Sequence, residues 1–191
     1  MTPHLDALSK DSLVFTQLFA SGTRTVRGLE ALALSVPPTP GESIVKRGHN
    51  HGLFSLASVF NAKGYRSLFL YGGYGAFDNM NDFFGGNGYE VHDRSDIDAD
   101  QVHHGNIWGV ADEDLYSLSL QQFNAAHSEG KPFFAHIMTT SNHRPYTFPT
   151  GRGDWPQGKR ESAVQYTDWA VSDFLRRAQS KAWFDDTIFV I

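Results

Sequence analysis

The segment SGTRTVRG, residues 21–28, places two threonines and two arginines in a glycine-bounded turn. A threonine hydroxyl becomes a nucleophile when a metal ion or a general base lowers its pKa, and an arginine side chain holds phosphate or sulfate oxygens. Thr23 and Thr25 are therefore candidate nucleophiles, with Arg24 and Arg27 as anion-binding partners. The alternative is a turn in which the threonines cap a helix, and for an isolated motif this local role is the more common one.

A second polar cluster, TTSNHRPY, follows an apolar run and contains His143. A histidine at the end of a strand can bind an oxyanion, transfer a proton or ligate a metal. The alternative is a loop histidine that packs against Pro145 and Tyr146.

The third cluster, YGGYGAFDNMND, offers a set of polar side chains next to glycines that let a ligand approach the backbone closely. The set comprises Tyr71, Tyr74, Asp78, Asn79 and Asp82. The cluster matches neither the Walker nor the dinucleotide-binding fingerprint.

Other polar groups are weaker candidates. His49 and His51, like His103 and His104, have spacings seen in metal sites, but such pairs in polar loops are usually solvated, and without cysteine or HExxH they do not imply zinc. The acids of DEDL, residues 112–115, are most simply explained as charge at a helix N-terminus.

The elements that must position these clusters alternate between helix and strand. Helices are predicted for TPHLDALSKDS, LEALALSVP, LFSLASVFNAKG, DEDLYSLSLQQFNAAHSEG and ESAVQYTDWAVSDFLRRAQSKA, and strands for LVFTQLFA, YRSLFLYGG, KPFFAHIMTTS and TIFVI. This alternation predicts an α/β fold with a mainly parallel sheet flanked by helices on both faces. Ligand sites in such folds form at the carboxyl ends of the strands, so the three clusters are expected to share one rim.

The length, composition and charge of the chain predict its domain organisation and exclude some classes of partner. The chain has 191 residues, 40% of them hydrophobic and 14% aromatic, a net charge of −5 and no cysteine. This predicts one packed domain without disulfides, and the scattered basic residues do not indicate a nucleic-acid partner. The final run DDTIFVI lacks a cap or polar tail, and the first residues lead directly into a helix. We therefore expect residues 1–191 to be a single partial catalytic domain, truncated at both ends.

Taken together and in order, five segments resemble the sulfatase-like lipoteichoic acid synthases, the phosphoglycerol transferases of the alkaline phosphatase superfamily. They are TPHLDALSKDSLVFTQLFASGTRTVRGLEAL, LYGGYGAFDNMNDFF, TTSNHRPYTFP, YTDWAVSDFL and DDTIFVI. The resemblance covers nearly the whole chain, so it is more specific than any single motif.

The resemblance implies roles for individual residues. It places the metal-activated threonine nucleophile at Thr25, with Thr23 as the neighbour that spacing alone does not separate from it, and makes His143 the substrate-side histidine. Arg24, Asp78, Asn79 and Tyr71 are then candidate substrate-binding residues. The implied substrate is a phospholipid head group or another phosphate or sulfate ester, and the implied acceptor is a glycan or a lipid. The parent protein is expected at the extracytoplasmic face of the cell membrane, tethered by membrane helices.

Two departures from the family pattern qualify these expectations. The family's His, acid, Trp and Arg that hold glycerol phosphate correspond here to Tyr71, Gly73, Asp78 and Met80, so phosphoethanolamine transfer and sulfate-ester hydrolysis are alternatives. The family's remaining metal ligands lie before TPHLDAL and after TIFVI. Only Thr25 would contribute to a site for Mn²⁺, Zn²⁺ or Mg²⁺, and one hydroxyl cannot hold a divalent ion. Residues 1–191 alone are therefore expected to be inactive or nearly so, and a non-catalytic module that binds anions or lipid head groups is the rival interpretation.

Overall fold

The computed structural model describes residues 1–191 and contains three strands and six α-helices. In chain order these are α1 (Pro3–Leu8), α2 (Thr25–Leu34), α3 (Leu56–Asn61), β1 (Arg66–Tyr71), α4 (Met80–Gly86), β2 (Glu90–His92), α5 (Asp112–Ser128), β3 (Phe133–Met138) and α6 (Arg160–Ala178). Short 3₁₀ turns lie between them at Ser9–Asp11, Ile44–Lys46, Phe77–Asn79, Arg94–Asp96 and Ala99–Gln101.

The sheet is parallel and β1 is its central strand, in the order β2-β1-β3. Leu68 lies opposite Glu90 of β2 and Ala135 of β3. Five of the six β1 residues are buried. A continuous apolar run such as LFLY is typical of a parallel strand covered on both faces, because neither side of the strand meets water.

Helices cover both faces of the sheet. Leu68 and Leu70 point into a core formed with α5 and α6, whereas Phe69 and Tyr71 point into a second core formed with α2, α3 and α4. In the second core the ring of Phe69 stacks on Phe84, with 3.6 Å between ring centroids. The predicted fold class, a parallel sheet flanked by helices on both faces, is confirmed.

Two of the predicted strands are wrong. Residues 13–20 and 187–191 form no strand, and their large apolar side chains are exposed, with Leu13 82% and Val190 93% exposed. A strand is stabilised by cross-strand neighbours as well as by its own composition, and neither segment pairs with the sheet. The three-residue strand β2 was not predicted, because its position is set by pairing with β1 rather than by its polar sequence.

The helices were predicted more accurately than the strands, although their bounds differ. Helix α2 begins at Thr25, four residues before the predicted start, and α3 is shorter than the predicted segment 53–64. Helix α4 was missed because it lies within the glycine- and asparagine-rich region.

We predict that His136 of β3 makes stability fall as the pH drops. Its ring is stacked near Tyr89 and lies edge-on to Phe84, its Nδ1 is buried without a hydrogen-bond partner, and burial lowers the pKa of His136. The unfolded chain therefore binds a proton that the folded chain does not, and this contribution is full above pH ~6.5 and is lost progressively below it.

Urea unfolding between pH 5 and 7.5 measures this effect. His136→Phe should flatten the pH dependence, while His127→Gln, a change at an exposed position near the end of α5, should leave it as in the wild type. Equal slopes in His136→Phe and the wild type would contradict the prediction.

Candidate functional site

Thr25 is the first residue of α2, and its side chain is exposed. The residue that caps this helix is Arg24, in extended conformation, and no side chain accepts a hydrogen bond from the first turn. The capping role proposed as the alternative for the threonines is thus absent from the structure. The Thr25 hydroxyl faces solvent at a helix N-terminus, where the helix dipole favours an anionic ligand.

The two arginines of this turn have different roles. Arg27 forms an ion pair with Glu30 at 2.8 Å and donates a hydrogen bond to the carbonyl of Gly41. Glu30 is fully buried and also accepts a hydrogen bond from Ser43 at 2.7 Å. Burial alone would raise the pKa of Glu30, but the hydrogen bonds from Arg27 and Ser43 lower it below its usual value. Arg27 therefore fixes the loop after α2, whereas Arg24 has no ion pair or side-chain hydrogen bond.

The loop after β1 docks on the turn Ile44–Lys46. Lys46 Nζ lies 2.9 Å from Asp78 Oδ1, and Asn79 Nδ2 donates to the carbonyl of Val45 at 3.1 Å. Hydrogen bonding to Asp78 raises the pKa of Lys46, while the charge of Arg24 acts in the opposite direction. The structure places Asp78 and Asn79 against the turn that carries Lys46, a residue that the sequence did not indicate.

Tyr71 lies beneath this loop at the end of β1. Its ring is buried next to Phe69, and burial, followed by the charges of Asp78 and Asp93, raises the pKa of Tyr71. A side chain at Gly73 would meet the Tyr71 hydroxyl at 2.6 Å and the carbonyl oxygen of Trp108 at 2.4 Å. Tyr71 therefore supports the rim from inside the core, and its predicted contact with substrate stays a prediction.

His143 is exposed after β3, and its ring lies against that of Trp108, with 3.9 Å between ring centroids and 37° between the ring planes. Its Nδ1 lies 2.9 Å from the carbonyl oxygen of Arg144, which leaves Nε2 available to a ligand. Trp108 in turn makes an edge contact with Phe77, the residue before Asp78. These aromatic contacts connect the His143 loop with the Asp78 loop, so the second and third polar clusters share one rim. The sequence did not indicate Trp108.

The buried carboxylate of Asp112 holds the start of the His143 loop. It accepts hydrogen bonds from the backbone N–H of Ser141 at 2.9 Å and of Thr140 at 3.2 Å, and from the Thr167 hydroxyl at 3.2 Å. Burial raises the pKa of Asp112. The sequence explained this acid as helix N-terminal charge, whereas the structure shows that it joins α5, β3 and α6.

The residues near Thr25 do not make a metal site by themselves. The three-ligand cluster of His, Asp and Glu in the chain consists of His103, Glu113 and Asp114, beside α5 on the opposite face of the sheet from α2. Both Glu113 oxygens are held by Arg152, at 2.8 and 2.9 Å. The hydroxyl of Thr25 is a single oxygen, which is too few ligands for a divalent ion.

Comparison with known proteins supports the same family as the motifs. The sulfatase family model matches residues 1–191. The chain belongs to the sulfatase family. A solved structure of a protein in the alkaline phosphatase superfamily, from Vibrio parahaemolyticus, is similar to this chain. It is 38% identical, with a TM-score of 0.91, and the match covers 97% of this chain and 46% of that one.

This sulfatase-family chain is also similar to a phosphoglycerol transferase and to a lipoteichoic acid synthase. Phosphoglycerol transferase I of Salmonella typhimurium is 23% identical over 208 residues, which cover all of this chain and 27% of that protein. The lipoteichoic acid synthase LtaP of Listeria monocytogenes is 18% identical with a TM-score of 0.79, covering 93% of this chain and 46% of that chain. The resemblance stated from the motifs is confirmed, and the chain spans about a quarter of the length of the curated relatives it matches.

A helix that crosses a bilayer needs about 20 consecutive, mainly apolar residues. None of the helices in this sulfatase-family chain is both long and apolar enough to cross a membrane.

We predict that Asp112→Asn loosens the His143 loop. The amide presents an N–H₂ group where the carboxylate accepted hydrogen bonds, so at least one buried partner is left unsatisfied, at a cost of about 1–3 kcal/mol. Urea unfolding should show this loss, and hydrogen exchange should be faster at the amides of Thr140 and Ser141. Asp154→Asn, at an exposed position, should change neither quantity. Unchanged exchange at Ser141 in Asp112→Asn would contradict the role assigned to the carboxylate.

Proposed function

We propose that the protein transfers a phosphate-ester group, of the phosphoglycerol type, through a covalent intermediate on Thr25. The observation that carries the proposal is the exposed Thr25 hydroxyl at the N-terminus of α2, which makes no side-chain hydrogen bond and lies beside the unpaired Arg24. The sulfatase family match and the similarity to phosphoglycerol transferase I support this class of reaction.

The proposed reaction has two displacement steps at phosphorus. In the first, the Thr25 hydroxyl gives up its proton as Oγ forms a bond to phosphorus, the ester P–O bond to the leaving alcohol breaks, and that alcohol takes up a proton. In the second, an acceptor hydroxyl gives up its proton and attacks the phosphorus held on Thr25, the Oγ–P bond breaks, and Thr25 Oγ takes up a proton. Arg24 offsets charge on the phosphoryl oxygens, and His143 binds the substrate through Nε2.

The proposed donor is a phospholipid head group or another phosphate ester, and the proposed acceptor is a glycan or a lipid. Phosphoethanolamine transfer and sulfate-ester hydrolysis are the alternatives for the transferred group. We further propose that the whole protein acts at the extracytoplasmic face of the cell membrane and uses a divalent metal, Mn²⁺ before Zn²⁺ or Mg²⁺. Ligands for that metal other than Thr25 would come from sequence beyond residues 1–191.

A second candidate function is a non-catalytic module that binds anions or lipid head groups. The observation that supports it is the exposed N-terminus of α2 with the unpaired Arg24, which can bind an anion whether or not Thr25 reacts. Both candidates use the same rim, and they differ in whether Thr25 becomes phosphorylated.

Thr25→Ala should abolish transfer in the protein expressed with all the sequence that its gene encodes. Removing the nucleophile is expected to lower kcat by about 10⁴-fold or more, whereas Thr25→Ser keeps a hydroxyl and should retain measurable turnover. Thr23→Ala is the matched control and should be much milder. Release of diacylglycerol from phosphatidylglycerol, with mass spectrometry of the glycerophosphate adduct trapped on Thr25, provides the measurement. Turnover by Thr25→Ala at the wild-type rate would rule out the mechanism, and absence of turnover in every variant including the wild type would favour the binding module.

Residues 1–191 alone should bind Mn²⁺ weakly, because the side chains near Thr25 supply one oxygen ligand. Isothermal titration calorimetry of this segment should therefore give no tight stoichiometric binding, while the protein with all its encoded sequence should bind one ion tightly. Tight binding of Mn²⁺ or Zn²⁺ by residues 1–191 that is lost in Thr25→Ala would show that the ligand set is complete within the segment.

A further inference from the structure

His103 faces two buried acids at the start of α5. Its Nδ1 lies 2.5 Å from Asp114 Oδ1 and 4.0 Å from Glu113 Oε1. The side chains of Glu113 and Asp114 are 8% and 0% exposed, whereas that of His103 is 59% exposed. From the sequence, His103 was interpreted as a solvated loop residue that does not imply zinc, and the structure adds the two acids that its ring contacts.

Each of the two carboxylates is held by hydrogen-bond donors of its own. Arg152 donates to both oxygens of Glu113, at 2.8 and 2.9 Å. The backbone N–H groups of His103 and His104 donate to Asp114 Oδ2, at 3.0 and 3.4 Å. A carboxylate oxygen has two lone pairs, so Glu113 Oε1 and Asp114 Oδ1 can still bind a cation. Donors of this kind orient the ligands of protein-bound metal ions.

The charges at the start of α5 favour a bound cation. Glu113 is paired with Arg152, but neither Asp114 nor the adjacent Asp112 forms an ion pair with a lysine or an arginine. Burial raises the pKa of Asp112 and of Asp114, although both accept hydrogen bonds. Hydrogen bonds therefore offset only part of the cost of burying these charges, and a cation bound by Asp114 would offset more of it.

A cavity of about 420 Å³ lies beside these side chains, and His103, His104 and Arg152 contribute to its wall. The Nε2 atom of His104 is buried and has no hydrogen-bond partner. A buried ring nitrogen without a partner is costly, so its presence in a cavity wall indicates a polar ligand that the protein itself does not supply. The cavity has room for the water molecules that complete the coordination of an ion, since each occupies about 30 Å³.

We propose that His103, Glu113 and Asp114 bind a Zn²⁺ ion. The three ligand atoms lie within 4.8 Å of one another. Zinc binds imidazole nitrogen and carboxylate oxygen at about 2.0–2.2 Å, so its ligand atoms lie about 3–4 Å apart. A small rotation of the exposed His103 side chain satisfies this spacing. A site of this kind binds Zn²⁺ more tightly than Mn²⁺, and His103 Nδ1 gives up its proton when the ion binds.

The proposed ion joins α5 to the loop that presents Trp108. His103 lies five residues before Trp108, and Asn106 Oδ1 accepts a hydrogen bond from the Trp108 N–H at 2.8 Å. An ion held by the buried acids of α5 would fix the start of this loop, and with it the indole that lies against His143. The site is distinct from Thr25, so the proposal does not rest on the proposed function.

Calorimetric titration with Zn²⁺ tests the site in the protein with all its encoded sequence. His103→Ala should bind one Zn²⁺ fewer per chain than the wild type. Losing an outer partner of a metal ligand lowers affinity about 10–100-fold, and losing a ligand lowers it further. The matched control is His51→Ala, because His51 is 54% exposed and its Nε2 lies 2.8 Å from one carboxylate, that of Asp82, outside the three-ligand cluster.

Hydrogen exchange provides a second measurement, made in Thr25→Ala so that the hydroxyl of the other proposed metal site is absent. Added Zn²⁺ should slow exchange at the Trp108 amide in Thr25→Ala, and should leave it unchanged when His103→Ala is combined with Thr25→Ala. The combined variant is expected to fold, since the His103 side chain is exposed.

The outcomes separate this proposal from the proposed function. Loss of one ion in His103→Ala, with the wild-type number in His51→Ala, supports the site. Equal numbers of bound ions in the wild type and His103→Ala overturn it, as does an effect of Zn²⁺ on Trp108 exchange that persists without His103. Because the result is a difference between the wild type and His103→Ala, it holds whether or not Thr25 reacts or binds a metal.

Discussion

The six residues of β1 have neighbours on every side, with β2 and β3 along the two edges and a helical layer over each face. Because alternate side chains of a strand point to opposite faces, this short segment contributes Leu68 and Leu70 to one core and Phe69 and Tyr71 to the other. The strand cannot shift by one residue without exchanging both sets. The position of its carboxyl end is therefore fixed. The rim loops that start at this end, or contact it, are positioned by the strand.

Two buried carboxylates, one on each face of the sheet, fix the positions of the rim loops through hydrogen bonds. On the α2 side, Glu30 joins the helix to Ser43 and to Ile44 in the turn that presents Lys46. On the α5 side, Asp112 joins the helix to Thr140 and Ser141, just before His143. A buried carboxylate is costly unless hydrogen bonds satisfy it, and when satisfied it fixes the position of its donors. The rim is thus held by polar contacts inside the protein, and the exposed groups remain free for a ligand.

The parts of the fold that follow from local sequence were predictable, and those that depend on distant partners were not. The apolar periodicity of α5 and α6 and the apolar run of β1 identify these elements without knowledge of their neighbours. Residues 13–20 and 187–191 have a strand-like composition but no pairing partner within residues 1–191, so composition alone misassigned them. Conversely, β2 exists only because β1 lies next to it.

The candidate site shows the same division. Thr25, Arg24 and Asp78 could be proposed from their types and from the resemblance, whereas Lys46 and Trp108 act through contacts with residues more than 30 positions away. The sequence does indicate Glu30, since a lone acid within the apolar stretch LEALAL is typical of a buried carboxylate. The sequence does not single out Asp112, because it is one of three consecutive acids in DEDL and only this one contacts the His143 loop.

The close approach of two backbone segments at the rim has a further consequence. Val110 N–H donates to the Gly72 carbonyl at 2.8 Å, and a side chain at Gly109 would come within 2.4 Å of that same carbonyl oxygen. The scaffold beneath the rim is thus joined main chain to main chain, independently of which side chains project above it. Substitutions among the projecting groups can then alter which ligand is bound while the framework stays in place, and proteins with one architecture can diverge in the chemical group they recognise.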